Sequence, residues 1–176
     1  MTWSTHALFG ISALWLLAWV PPELLRYDIG TLAAVAALGA LLPDLDASES
    51  KIKHLKLLGS NLKPFLLPAQ VVSRSDQHRG LLHSLAGLAM VSLMVSPAFF
   101  WMGWAPVVAL LLGYASHLVA DAATKSGIVL LYPRLTRFYL LPQKCRITTG
   151  SSAEEALLIP LVVPVAVLLL SQLLAP

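Results

Sequence analysis

His117 and Asp121 stand four residues apart in Gly113-Tyr-Ala-Ser-His-Leu-Val-Ala-Asp121, within an otherwise apolar run. On a helix that spacing places both side chains on one face, about one turn apart. Imidazole and carboxylate together suit a divalent metal such as Zn, Mn or Fe, with no need for thiolate. Asp44-Leu-Asp46 adds two carboxylates that a turn can present to one ion or to two adjacent ions. His78-Arg-Gly-Leu-Leu-His83 sets two imidazoles around a glycine at the start of another apolar run. Ser84 follows as a helix cap or a substrate contact, and His6 begins the first apolar run. Ionisable residues near a membrane span are costly and tend to mark function. Each piece also has a bland alternative. Asp44 beside Pro43 can be a plain helix boundary, His6 an interfacial hydrogen-bonding group, and His54 a solvated side chain. The convergence of four segments favours a metal or catalytic site. Arg79 and Lys125 flank the cluster, either to hold an anionic substrate group or merely to add basic charge to their loops.

These side chains need elements to position them. Of 176 residues, 57% are hydrophobic and 12% are charged, about half the charged share of a soluble domain. Such a chain is neither an ordinary cytosolic domain nor disordered. We expect an all-α integral membrane protein forming a single domain over 1–176. About four to five transmembrane or re-entrant helices are expected, near 7–25, 29–43, 81–103, 104–120 and 156–174. Residues 1–6 carry no Lys or Arg, so the first run reads as a retained helix rather than a signal peptide. The run 29–43 is short of the ~20 residues that a full span requires. Pro97 predicts a kink in the third run, and Pro106 falls in the first turn of the fourth, where proline is tolerated. Pro160 and Pro164 lie inside the fifth. Ser151 and Ser152 each have a Glu three residues on, the pattern of a capping box.

Long loops are expected at 44–80 and 124–155. Together they hold eleven of the twelve Lys and Arg residues, and only Arg26 lies elsewhere. The positive-inside rule then places both loops, the N-terminus and the polar site at the cytoplasmic face of a multi-pass protein. The net charge of +3 thereby records topology and gives no reason to expect a nucleic-acid partner. Ile52, Leu55, Leu58, Leu62 and Phe65 recur between lysines, as in an amphipathic segment lying on the inner membrane surface. The short apolar stretches 128–133 and 138–142 are expected to be interfacial or packed beneath the bundle. The single cysteine, Cys145, excludes an intrachain disulfide and a Cys-based zinc site.

Taken together, Thr5-His6 with Gly10, Leu41-Leu-Pro-Asp-Leu-Asp46, His78-Arg-Gly-Leu-Leu-His-Ser84, Gly113 to Thr124, Gly127 and Leu130-Leu-Tyr-Pro133 form a combined pattern. Over roughly residues 2–150 it resembles the YdjM-type family of bacterial inner-membrane proteins, described as LexA-regulated, membrane-bound, metal-dependent hydrolases. The resemblance implies that His6, Asp44, Asp46, His78, His83, His117 and Asp121 correspond to the family's polar signature. Leu82 departs from it, since the family often has Thr before the His-Ser pair. The His-x-x-x-Asp element is also similar to one in helical zinc-dependent phospholipases C.

The expected function is a metal-dependent hydrolase in the inner membrane, acting at the cytoplasmic interface on a phosphoester, phospholipid or lipid-linked phosphate. His6, Asp44, Asp46, His83, His117 and Asp121 would hold one or two divalent metals, Zn foremost. His78 or a non-ligating Asp would act as general base, and Arg79 would neutralise developing negative charge. The alternatives are a small proton-coupled transporter and a non-enzymatic membrane protein with a structural metal site.

Overall fold

The computed structural model describes residues 1–15, 27–46, 56–57, 60–61 and 80–173. Six helices make up most of it. They are α1 (Trp3–Ser12), α2 (Ile29–Leu41), α3 (Leu85–Val95), α4 (Ala98–Met102), α5 (Trp104–Ala122) and α6 (Ser152–Leu173). The class is all-α, as expected. A two-residue antiparallel ladder, with Lys56 opposite Asn61, is the only strand pairing beyond isolated bridges among the described residues. It falls in the stretch read as amphipathic, and the rest of that stretch lies outside the described residues.

α5 is the helix around which α1 to α4 gather. Its 19 residues extend about 28 Å at 1.5 Å per residue, close to the ~30 Å hydrocarbon thickness of a bilayer. Among the described residues it alone is both long and apolar enough to cross a membrane, where the sequence suggested four to five spans. α2, with 13 residues, and α3, with 11, are apolar but shorter. α2 begins at Asp28, whose carboxylate accepts hydrogen bonds from Thr31 N at 2.6 Å and Thr31 Oγ1 at 2.8 Å. These bonds satisfy one of the free amides of the first turn.

The structure redraws two of the expected helices. The first begins at Trp3, so His6 lies inside α1 and not ahead of it. The run 81–103 is not one helix. A 3-10 turn spans Leu81–His83, α3 ends at Val95, and α4 follows Pro97. The breaks have local causes. Ser84 is extended (φ −136°, ψ 167°), and its Oγ accepts from Gly87 N at 3.2 Å, so it starts α3 as an N-cap. Pro97 offers no amide to continue the α3 ladder, and the chain turns again at Gly103 (φ 76°) before α5.

α1, α2 and α5 approach one another through small residues. Ala36, Ala105 and Ala109 are fully buried beside Leu14 and Leu32. A Cβ on Gly39 would overlap the backbone of Leu110, and one on Gly113 would overlap the backbone of Ala36. Close backbone approach of this kind is how helices pack in a membrane, where burial of apolar surface gives little drive. α6 lies against α1, with Trp15 Nε1 donating to the Pro164 carbonyl at 2.9 Å and Ser12 Oγ to that of Leu161 at 3.3 Å.

The 124–150 segment folds back over the C-terminal end of α5. Leu140 N donates to Ala122 O at 2.8 Å, and Ile147 N to Ala123 O at 3.1 Å, which satisfies carbonyls left free at that end. Ile128 bridges Phe138 and packs against Tyr114, Leu118 and Ala122. Of the stretch 128–133, expected to be interfacial or packed beneath the bundle, Ile128 is buried whereas Leu131 and Tyr132 are exposed.

Candidate metal centre

Three helices and two 3-10 turns bring His6, Asp44, His83, His117 and Asp121 together. His117 and Asp121 occupy the last turns of α5, one turn apart. α2 ends at Leu41, and the following 3-10 turn, Pro43–Asp46, carries Asp44. The 3-10 turn before α3 aims His83 inward. α1 supplies His6. The ends of α2 and α5 that face this cluster are C-terminal ends, where the carbonyl dipoles favour a cation.

The distances are those of a ligand set. His83 Nε2 lies 3.2 Å from His117 Nε2 and 3.5 Å from Asp44 Oδ1. His117 Nε2 lies 3.8 Å from Asp44 Oδ1 and 3.9 Å from Asp121 Oδ2. His83 Nε2 is also 3.9 Å from Asp121 Oδ2. Tetrahedral ligands on bonds near 2.1 Å stand about 3.4 Å apart, in the middle of this range. His6 reaches the other oxygen of Asp121, with Nε2 at 3.3 Å from Oδ1. Its ring stacks on that of His117 at a centroid distance of 3.8 Å. The α-amino group of Met1 lies 2.7 Å from the same Oδ1.

The tautomer of His117 is fixed by its neighbour. Its Nδ1 lies 2.6 Å from the carbonyl oxygen of Ala40. A carbonyl only accepts, so Nδ1 carries the proton and the neutral ring presents its Nε2 lone pair to the cluster. Backbone anchoring of this kind orients metal-binding histidines. His6 Nδ1 is buried and has no hydrogen-bond partner among the described residues. Burial opposes ionisation of Asp44 most strongly, but the hydrogen bond from His83 and the electrostatic pull of His117, His6 and His83 together outweigh it and hold the carboxyl below its ordinary range. The residues present therefore fit a divalent cation: imidazole nitrogens and carboxylate oxygens, in two overlapping groups of three. Asp44 is 30% exposed at its side chain, whereas those of His83, His117 and Asp121 are buried, so the site opens past Asp44.

Comparison with known proteins shows the family to which the chain belongs. The family model described as YdjM inner membrane protein matches residues 1–175. The chain belongs to this family. It is 37% identical to the inner membrane protein YdjM of Escherichia coli (strain K12) over 157 residues, covering 82% of this chain and 73% of that protein. The Shigella flexneri protein of the same name matches to the same extent. The uncharacterized protein YvsG of Bacillus subtilis (strain 168) is 32% identical over 158 residues, or 90% of this chain and 88% of YvsG. No solved structure matches the chain. Membership supports an inner-membrane location.

Of the residues singled out from the sequence, five meet in one cluster. Asp46 closes the 3-10 turn after α2, and its side chain is not among those described. His78 and Arg79 fall outside the described residues, as does His54. Ser84 caps α3, and its Oγ also donates to Leu81 O at 2.5 Å. Sequence reasoning missed two supporting groups. The Tyr114 hydroxyl donates to the carbonyl of Leu82 and so anchors the turn that carries His83. The Glu154 carboxylate is buried and accepts from Thr2 N at 2.5 Å and from Gly150 N at 2.7 Å. It ties the start of α6 to the start of α1, one turn before His6. The capping-box pattern did point to this helix start, and Ser151 Oγ accepts from Glu154 N at 3.4 Å. The long-range half of the Glu154 interaction left no local signal.

Proposed function

We propose that this protein is a metal-dependent hydrolase of the inner membrane, with its active site at the cytoplasmic interface and a phosphoester or lipid-linked phosphate as substrate. The carrying observation is that His83 Nε2 and His117 Nε2 lie 3.2 Å apart and each lies 3.5–3.9 Å from both Asp44 Oδ1 and Asp121 Oδ2, with His117 locked in the ligating tautomer. These four residues would hold the ion. A bound divalent ion supplies Lewis acidity and an activated water at neutral pH. His6 holds Asp121 through the second carboxylate oxygen and backs the ring of His117, so it acts as the fifth, supporting donor. Asp44, ionised and partly exposed, stands where substrate would enter.

Three observations support the interface. The site lies at the C-terminal end of α5, the one helix of spanning length and apolarity among the described residues. The 124–150 segment at that end carries Lys125, Arg134, Arg137, Lys144 and Arg146, and cytoplasmic loops are enriched in such residues. The other end of α5 meets an apolar surface that includes Phe100 and Trp101, both almost fully exposed. The multi-pass, N-terminus-in topology is part of this proposal.

The test is hydrolysis of phosphoester and phospholipid substrates by the purified protein, before and after chelation. The reading expects turnover that chelation abolishes, that Zn or Mn restores, and that His117→Ala lacks. Turnover indifferent to both chelation and His117→Ala would overturn it.

A further inference from the structure

On the side of α5 away from the histidines, α3, α5 and the 124–150 segment enclose a cavity of about 200 Å³. Leu88 lines it from α3, Leu118 and Ala122 from α5, and Ile128, Phe138 and Leu140 from the returning segment, with no polar atom on its wall. Apolar cavities even of ~150 Å³ stay free of water and take up hydrocarbon. The space is not sealed: Leu85, Val119, Phe138 and Leu140 on its lining are each about half exposed. In a protein of the inner membrane the surrounding medium is lipid.

The charge beside the cavity narrows its occupant. Between Asp121 and Glu154 the chain has no acid and five basic residues. Arg137 adjoins Phe138 on the cavity wall, and its guanidinium donates to Ser126 O at 2.7 Å. Arg146 stacks on the ring of Tyr139, between Phe138 and Leu140, at 3.5 Å from the ring centre. Lys125 and Arg134 are exposed on the same segment. A dry apolar slot edged by fixed cations matches a hydrocarbon chain ending in a phosphate.

We infer that this slot holds an acyl chain of an anionic phospholipid, with the headgroup phosphate on the 125–146 basic residues. The lipid seats the returning segment against α5, the helix that also carries His117 and Asp121. The inference requires no metal and no hydrolysis, so it stands or falls apart from the proposed activity.

The test uses full-length protein in vesicles containing phosphatidylglycerol with a photoactivatable diazirine in its acyl chain, alongside the same label on phosphatidylcholine. Adducts are mapped by mass spectrometry, with the exposed Phe100–Trp101 surface as the general lipid-facing reference. The expected result is labelling at Leu118–Ala122 and Ile128–Leu130 that is stronger with phosphatidylglycerol than with phosphatidylcholine, and unchanged by chelator. Ala115 also lines the slot from α5, so Ala115→Phe, which fills it, should lower that labelling and leave the reference surface unchanged. Each methylene excluded from the slot costs about fourfold in affinity. Replacing Arg134 and Arg137 together by Gln should remove the preference for phosphatidylglycerol. Leu140→Asp, at the exposed rim, gives a second variant that leaves the helix packing alone and should also lower the labelling. Equal labelling by both lipids, or slot labelling untouched by Ala115→Phe and Leu140→Asp, would overturn the inference.

Discussion

His117 Nδ1 donates to the carbonyl of Ala40 at 2.6 Å, and this one bond couples the packing of α2 on α5 to the chemistry of the cluster. It turns His117 Nε2 towards His83 Nε2, 3.2 Å away. The carbonyl is in place because Gly39, the residue before Ala40, lets α2 touch the backbone of α5.

The donors are therefore expected to rank unequally. His117→Ala should abolish metal retention. His6→Gln keeps the four convergent donors and removes their support, so it should weaken metal affinity about 10- to 100-fold. Competition against a chromogenic chelator measures both. Equal loss in the two variants would place His6 among the primary ligands.

Helix approach should be equally exacting. Gly113→Leu puts a side chain where the Ala36 backbone stands, and overpacking of this kind costs roughly 1–3 kcal/mol or more. Thermal unfolding in detergent should show a lower Tm, with metal affinity falling in parallel because the Ala40 carbonyl moves. A Tm like that of the unaltered protein would contradict the contact.

Tyr114→Phe removes the donor to the Leu82 carbonyl without changing the shape of the ring. A buried carbonyl left unpaired costs roughly 1–3 kcal/mol. Because that carbonyl precedes His83, the variant should lose metal affinity as well as stability. A fall in Tm with metal affinity intact would make Tyr114 purely structural.

How much of this was legible in the chain differs by residue. The pairing of His117 with Asp121 followed from helical spacing alone, and Asp44 stood out beside Pro43. The assignment of His83 to the metal group followed from its place at the start of an apolar run; the 3-10 turn at Leu81–His83 that turns its side chain inward left no mark in the sequence, and His78 lies outside the described residues. Nor did hydropathy show that 81–103 breaks twice, since apolar runs give no period when every face is apolar. Ser84 and Pro97 were the visible marks of those breaks. Glu154 was read as a local cap, and its bond to Thr2 spans most of the chain, which no local pattern encodes.

Acid should act on α2 through its cap. Hydrogen bonds from Thr31 hold the Asp28 carboxyl below its ordinary value of 3.8. A carboxyl depressed in the folded state stabilises above its unfolded value, and that contribution is lost as pH falls through the folded value. Asp28→Asn keeps a good cap but no longer titrates. Its Tm should therefore fall less steeply than that of the unaltered protein below about pH 4. Parallel Tm–pH curves would exclude Asp28 from the acid response.

The central claim is that Asp44, His83, His117 and Asp121 hold a divalent ion. Elemental analysis of protein purified from membranes without chelator tests it most directly, with His117→Ala and Asp121→Ala prepared alongside. The account predicts stoichiometric Zn or Mn in the unaltered protein and its loss in both variants. Absence of metal from the unaltered protein, under conditions that keep loosely held ions, or full retention in the variants, would contradict it.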